Sequence, residues 1–258
     1  MTRRTSFSIF ISVISALFLR EIQTRFGTKK LGYLWAVVDP MVKVVIFSAM
    51  HLATGTTMQG MDLPVFLATG ILTYNFFSAI MMSSMTAFDG NRALFVYRQV
   101  KPVDTLFSRF FVEFLVMCAT IILFVSFGLY FGMDLRVKDF NMVIVAIIWL
   151  GIFGFALGIL FAVINTFYET FGKIISFISM PLFLLSGIFY TVESLPPLAR
   201  EIILYNPVVH FIEMIHGNYF RVLDTEYVDY TYMMWWTIIP LFLGLFFYKR
   251  AQMKIIAS

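Results

Sequence analysis

Apolar runs dominate this chain: residues 36–54, 65–88, 106–131, 140–164, 172–190 and 231–248 each hold no more than two Asp, Glu, Lys or Arg. A helix rising 1.5 Å per residue needs roughly 20 apolar residues to cross the hydrocarbon layer of a bilayer. Each run meets that length. Inside lipid every backbone N–H and C=O must be paired within the element, so runs of this length are expected as helices. The fold class this implies is an all-α membrane protein with six transmembrane helices in one transmembrane domain, 1–258. Composition agrees: only 13% of residues are charged and 60% are hydrophobic, whereas a soluble domain carries about a quarter charged residues. Cys118 is the sole cysteine, so no intrachain disulfide can form. The opening MTRRTSFSIF lacks a short apolar core followed by a small-residue cleavage site, and no cleaved signal peptide is expected.

The connections alternate in charge. One set comprises 1–35, 89–105, 165–171 and 249–258; the other comprises 55–64, 132–139 and 191–230. With Arg109 and Lys173 at the ends of their helices, the first set carries fourteen Lys and Arg. The second carries four: Arg136, Lys138, Arg200 and Arg221. Positive residues stay on the cytoplasmic side, so both termini and the 89–105 loop are expected there. Trp235, Trp236 and Tyr248 fall where an aromatic belt would place them on the last span. Gly154, Gly158 and Ala162 make a small-residue face on the fourth span, suited to close helix approach. Pro181 and Gly187 predict a kink or an early end in the fifth.

Residues 191–218, TVESLPPLAREIILYNPVVHFIEMIHGN, hold two apolar stretches of about ten residues parted by Asn206-Pro207. Each would make a helix of roughly 15 Å, half the hydrocarbon thickness. The segment 191–230 therefore reads as an extracytoplasmic re-entrant hairpin with its turn buried in protein, or as a pair of helices lying flat at the interface.

Ahead of the first span, Leu17, Phe18, Ile22 and Phe26 fall on one stripe, with Arg20, Glu21, Gln23 and Arg25 on the other faces. That pattern predicts an amphipathic helix lying in the cytoplasmic interface. The stretch LFLREIQTRFGTKKLGYLWAVVDP resembles the corresponding segment of ABC-2-type permeases that export polysaccharides, and is closest to Gram-negative group 2 capsule export permeases of the KpsM type. ALFVYRQVKPVDTLFSR at 93–109 and YNPVVHFIEMIHG at 205–217 agree with it. The resemblance covers essentially the whole chain.

The resemblance implies an ABC-2, type V exporter-like permease in the bacterial inner membrane. It implies two copies of this chain and two copies of a separate ABC ATPase, which holds the ATP and Mg²⁺; this chain itself binds no cofactor. It also implies a periplasmic polysaccharide co-polymerase and an outer-membrane export protein as partners, and a lipid-linked anionic polysaccharide as cargo. No nucleic acid is expected. The ATPase-coupling positions it points to are Arg20, Arg25, Phe26, Arg92, Tyr97, Arg98 and Lys101. From the residues alone, the 92–101 segment could equally be a basic anchor on lipid headgroups. Candidates for substrate entrance or pathway are Lys29, Lys30, Lys43, Tyr74, Phe189, Tyr190 and His210. Aromatic positions such as Tyr74, Phe76, Phe77, Phe183, Phe189 and Tyr190 could stack on sugar rings, or simply pack between helices.

Enzyme chemistry finds little support. A P-loop needs Gly-x-x-x-x-Gly-Lys-Ser/Thr; the only Gly-Lys pair, Gly172-Lys173, is followed by Ile174 and has Phe167 where the first Gly belongs. There is no His-Glu-x-x-His, no Gly-x-Ser-x-Gly and no paired intramembrane Asp. His210, Glu213 and His216 are each three residues apart, so on a helix they fan over a face rather than converge on a metal. Asp39 with Lys43, and Arg109 with Glu113, read as i,i+4 pairs that neutralise one another, and Lys43 could instead face the pathway. Another ABC-2 cargo, such as O-antigen, teichoic acid or a small hydrophobic molecule, remains the alternative.

Overall fold

The computed structural model describes residues 6–26, 32–53, 55, 60–97, 99–168 and 170–257. Among these residues the regular elements are all helices, with no strand: α1 Ser6–Phe26, α2 Gly32–Ala53, α3 Leu63–Met85, α4 Ala87–Asn91, α5 Pro102–Tyr130, α6 Phe140–Phe167, α7 Thr170–Leu184, α8 Pro197–Ile203, α9 Pro207–Tyr219 and α10 Tyr230–Ala257. Proline starts several of them. Pro102, Pro197 and Pro207 stand in the first turn of α5, α8 and α9, where the missing N–H would have had no partner anyway. Asp139 and Asn206 cap α6 and α9 by accepting from the backbone N–H of Met142 (3.1 Å) and Val208 (3.0 Å).

Among the described residues, five helices are long and apolar enough to cross a membrane: α2, α3, α5, α6 and α10. The fifth predicted run, 172–190, behaves differently. α7 has 15 residues, roughly 22 Å of helix, short of the roughly 30 Å hydrocarbon layer. It ends after Pro181, and the chain turns at Gly187, whose φ of 75° only glycine adopts cheaply. The early end expected from these two residues is present.

α3 and α6 form the centre. In the most apolar window of α3, 72% of residues are buried, against 17% in α2, which lies at the periphery. The approach of α6 to α3 depends on its glycines. A Cβ on Gly154 would lie 3.0 Å from the Phe77 carbonyl oxygen, and one on Gly158 would lie 2.5 Å from Ser84 Cβ. Small residues at this spacing let two backbones touch, and the contact area gained replaces the hydrophobic drive that lipid does not supply. Gly244 of α10 meets Leu160 on the other side of α6 in the same way. Phe77, Phe153 and Phe211 then stack face to face at 5.3 and 5.1 Å, joining α3, α6 and α9.

The two halves of 191–218 differ. None of α8 is buried, whereas Val208 through Gly217 of α9 are all buried among α3, α6 and α10. The end of the bundle holding α8 is knitted by polar contacts. The Asp134 N–H donates to Asp62 Oδ2 at 2.6 Å, Lys138 and Asp139 N–H donate to the Tyr219 and Asn218 carbonyls, and Lys138 Nζ pairs with Asp224 at 3.1 Å. Large apolar side chains point outward along the long helices, including Ile122, Leu129 and Phe242. Lipid is the solvent that suits them.

Candidate functional site

At the opposite end from α8, three elements are locked by charge. α1 brings Arg20, Glu21 and Arg25. α5 brings Arg109 and Glu113, and α4 brings Asn91. Arg109 Nε faces Glu21 Oε1 at 3.0 Å, and Arg25 Nη1 meets Glu113 Oε1 at 2.5 Å. This corrects the expected Arg109–Glu113 pair. Both residues sit one turn apart on α5, but each is satisfied by the residue of opposite sign on α1. The exchange is favoured because α1 presents acid then base four residues later, while α5 presents base then acid at the same spacing. Arg109 also donates to the Ser83 carbonyl and to Thr86 Oγ1, so it holds the end of α3 as well.

Glu113 retains 4% of its side-chain exposure and Arg109 11%. Charges at this depth persist only when paired and hydrogen-bonded. Arg20 Nη1 donates to Asn91 Oδ1 at 2.7 Å, and Asn91 Nδ2 donates back to the Ala87 carbonyl at 2.8 Å. Arg20 and Arg25 are thus engaged within the chain. The α4 loop is further fixed by Asp89, which pairs with Arg92 at 2.9 Å and accepts from Asn165 Nδ2 of α6 at 3.0 Å.

Beyond α4 the chain turns outward. After a short 3₁₀ turn, Arg92–Leu94, Phe95 is buried while Val96 and Tyr97 are 86% and 66% exposed. Lys101 is exposed too, and its N–H is held by Asp104 Oδ2 at 2.9 Å. An exposed aromatic thus stands beside an exposed aliphatic on a loop anchored at both ends. Lys29, Lys30 and Arg98, and the side chain of Phe26, lie outside the described residues.

A family profile for the ABC-2 type transporter matches residues 12–220. The chain belongs to the ABC-2 type transporter family. Among curated proteins it is 31% identical over 256 residues to the polysialic acid transport protein KpsM of Escherichia coli, covering 99% of each chain. It is 28% identical to the capsule polysaccharide export inner-membrane protein BexB of Haemophilus influenzae, over 96% of this chain and 94% of that one. The O-antigen export system permease protein RfbA of Klebsiella pneumoniae is 26% identical over 83% of this chain and 82% of its own. The similarity to KpsM and BexB thus runs through both the charged junction and the α8–α9 segment of this ABC-2 chain.

The pathway candidates of this ABC-2 protein fall into separate places. Lys43 pairs with Asp39 at 2.8 Å, the i,i+4 pair expected from spacing. Tyr74 is buried, donates to the Ser179 carbonyl at 2.7 Å and meets the Phe183 ring edge-on at 5.1 Å, so it ties α3 to α7. Phe189 packs on Phe47 at 4.6 Å and lies parallel to the His51 ring; Tyr190 is half-buried beside it in sequence. His210 Nε2 donates to the Leu204 carbonyl at 2.9 Å, and its Nδ1 accepts from the Asp229 N–H at 3.2 Å. These two bonds fix the orientation of the ring, which forms part of a 500 Å³ cleft with Glu201, Tyr205, Tyr227, Asp229 and Tyr232. Glu213 and His216 are buried elsewhere on α9, His216 against Phe66 at 4.2 Å. The three members of the H-x-x-E-x-x-H pattern occupy three environments.

Sequence reasoning missed the α1–α5 exchange, Asn91 as the receptor for Arg20, and Asn75, an amide inside α3. The reversed charge order on the two helices was the available signal for the first. Asn91 and Asn75 carried none.

Proposed function

We propose that this chain is the permease subunit of an ABC exporter that carries lipid-linked anionic capsule polysaccharide across the bacterial inner membrane, powered by a separate ATPase. Near full-length similarity to KpsM, in a chain with five membrane-length apolar helices, is the observation that carries this reading. In the assembly, two copies of the chain meet two copies of the ATPase, which holds ATP and Mg²⁺, and the complex works with a periplasmic co-polymerase and an outer-membrane export protein. Both termini and the 89–105 loop face the cytoplasm, supported by the positive-inside bias. α7 together with 185–190 completes a sixth crossing, and α8 and α9 form the re-entrant segment; the burial of α9 supports the second point.

Coupling follows from the charged junction. Val96, Tyr97 and Lys101 meet the ATPase, joined by Arg92 and Arg98. Arg20 and Arg25 act from behind: they bind the loop and α5 to α1, so a push on the loop moves α1, α3 and α5 together. Lys29 and Lys30, beside the cytoplasmic leaflet, attract the anionic head of the glycolipid, each basic residue near such a surface contributing about 1 kcal/mol. The test is complementation. In a capsulated strain lacking its own permease, the chain with its ATPase should restore surface glycan and clear glycolipid from the cytoplasm. The similarity to RfbA favours O-antigen as the second reading; restored O-antigen without restored capsule would select it.

A further inference from the structure

We infer that a cavity between α2, α3 and α5, with Arg25 of α1 at its wall, is a sugar-binding subsite that takes the uncharged, hydroxyl-bearing edge of one or two glycan residues. The inference rests on the export reading and names where in the chain the carbohydrate is held. The cavity has a volume of about 410 Å³ and is lined by Arg25, Trp35, Asp39, Asn75, Glu113 and Thr120, with Leu72 and Met117 among its apolar neighbours. That volume falls within the range of about 300–1,000 Å³ usual for small-molecule sites.

The lining decides the ligand. Asn75 Nδ2 is shielded from solvent and has no hydrogen-bond partner among the described residues, while Tyr74 and Ser78 beside it on α3 both bond to Ser179. A buried amide donor left in this state is costly unless something supplies an acceptor. The other polar groups of the wall are of mixed kind: guanidinium donors on Arg25, carboxylate acceptors on Glu113 and Asp39, and the hydroxyls of Ser78 and Thr120, the latter donating to the Val116 carbonyl at 2.8 Å. Trp35 is 69% exposed and lines the same cavity, giving a flat apolar face. Hydroxyl groups both donate and accept, and a pyranose ring carries them around its edge while presenting C–H faces above and below. A sugar hydroxyl can therefore accept from the Asn75 amide while its neighbours add bonds to Arg25 and Asp39, which stay 40% and 52% exposed beyond their own ion pairs.

Two other ligands fit worse. An anion would find its one guanidinium already neutralised, since Arg25 pairs with Glu113 at 2.5 Å, and it would face a second carboxylate, Asp39, already paired with Lys43. An acyl chain would leave the buried Asn75 amide unanswered. A groove of about 600 Å³ between α1 and α5, lined by Phe10, Ile14, Phe18, Phe111, Phe114 and Leu115, suits a tail far better.

The experiment is photolabelling of the full chain with its ATPase in lipid nanodiscs prepared without sugar detergents. Three probes share one dodecyl tail and one diazirine at the head end: a β-maltoside, a phosphate and a bare alcohol. The maltoside should label peptides containing Trp35 or Asn75 saturably, ahead of the other two. Asn75→Leu should weaken that labelling about five- to tenfold, the effect of losing one hydrogen bond to an uncharged ligand. Trp35→Ala, at a position 69% exposed, should weaken it as well. Equal labelling by the phosphate or by the alcohol would overturn the inference, as would maltoside labelling indifferent to both variants. Failure of the wild-type chain to restore capsule would instead strike the export reading, so the two can be told apart.

Discussion

Arg25 of α1 and Glu113 of α5 meet at 2.5 Å, with Glu113 buried to 4% and Arg25 still 40% exposed. One partner is sunk in the bundle and the other reaches in from its rim. The pair therefore fixes the position of α1 without sealing it off, and it stands beside the Glu21–Arg109 pair one turn away.

Removing Arg25 leaves Glu113 uncompensated. Arg25→Ala should lower stability by about 1–3 kcal/mol, below the roughly 3–5 kcal/mol of a fully buried pair because Arg25 keeps water contact. Thermal unfolding of the purified protein in detergent measures this. The exchange Arg25→Glu with Glu113→Arg should recover more than half of the loss; a double variant no better than the worse single one would show that the pair does not hold α1.

Gly158 has no room for a side chain, since its Cβ would lie 2.5 Å from Ser84 Cβ. Gly158→Ala should cost about 1–3 kcal/mol as α3 and α6 are forced apart. Adding Ser84→Gly removes the obstructing atom and should return most of it. The same melting assay reads both variants, and a harmless Gly158→Ala would mean that α6 does not approach α3 so closely.

Tyr97 contacts little of its own chain and is 66% exposed. Tyr97→Ala should leave the melting temperature unchanged yet abolish co-purification of the ATPase and ATP-driven export. Normal export from this variant would place the ATPase elsewhere.

Side-specific labelling checks the topology. In a Cys118→Ala background, cysteines at Arg136 and Leu198 should react with an impermeant thiol reagent added outside intact spheroplasts, and those at Gln99 and Met253 should not. All four positions are exposed. Labelling at Gln99 from outside would invert the assigned orientation.

Hydropathy and charge made most of the architecture legible in advance. Long apolar runs become long helices, the small-residue face Gly154-x-x-x-Gly158 finds its partner, and Pro181 with Gly187 ends α7. Hydropathy could not tell that 185–190 leaves the helix, because apolar residues report burial or lipid contact and not backbone conformation. The charges were harder. Arg109 and Glu113 satisfy an intrahelical rule, and nothing within α5 reveals that α1 offers each a better partner. For Tyr74 the sequence left stacking on sugar and packing between helices both open; the bond to the Ser179 carbonyl, 105 residues away, which braces α3 against α7, exists only in three dimensions. Asn75 is the reverse case, the one amide of α3, whose want of a partner exists only in three dimensions.

The central claim is that this chain forms the membrane path for a lipid-linked capsule glycan. Its most direct test is transport in proteoliposomes holding the chain and its ATPase, with radiolabelled glycolipid supplied on the ATPase side. The account expects ATP-dependent movement of the glycan into the lumen, lost when the ATPase is omitted or when Tyr97→Ala uncouples it. Active ATP hydrolysis with no glycan reaching the lumen, for capsule glycolipids of several compositions, would contradict it.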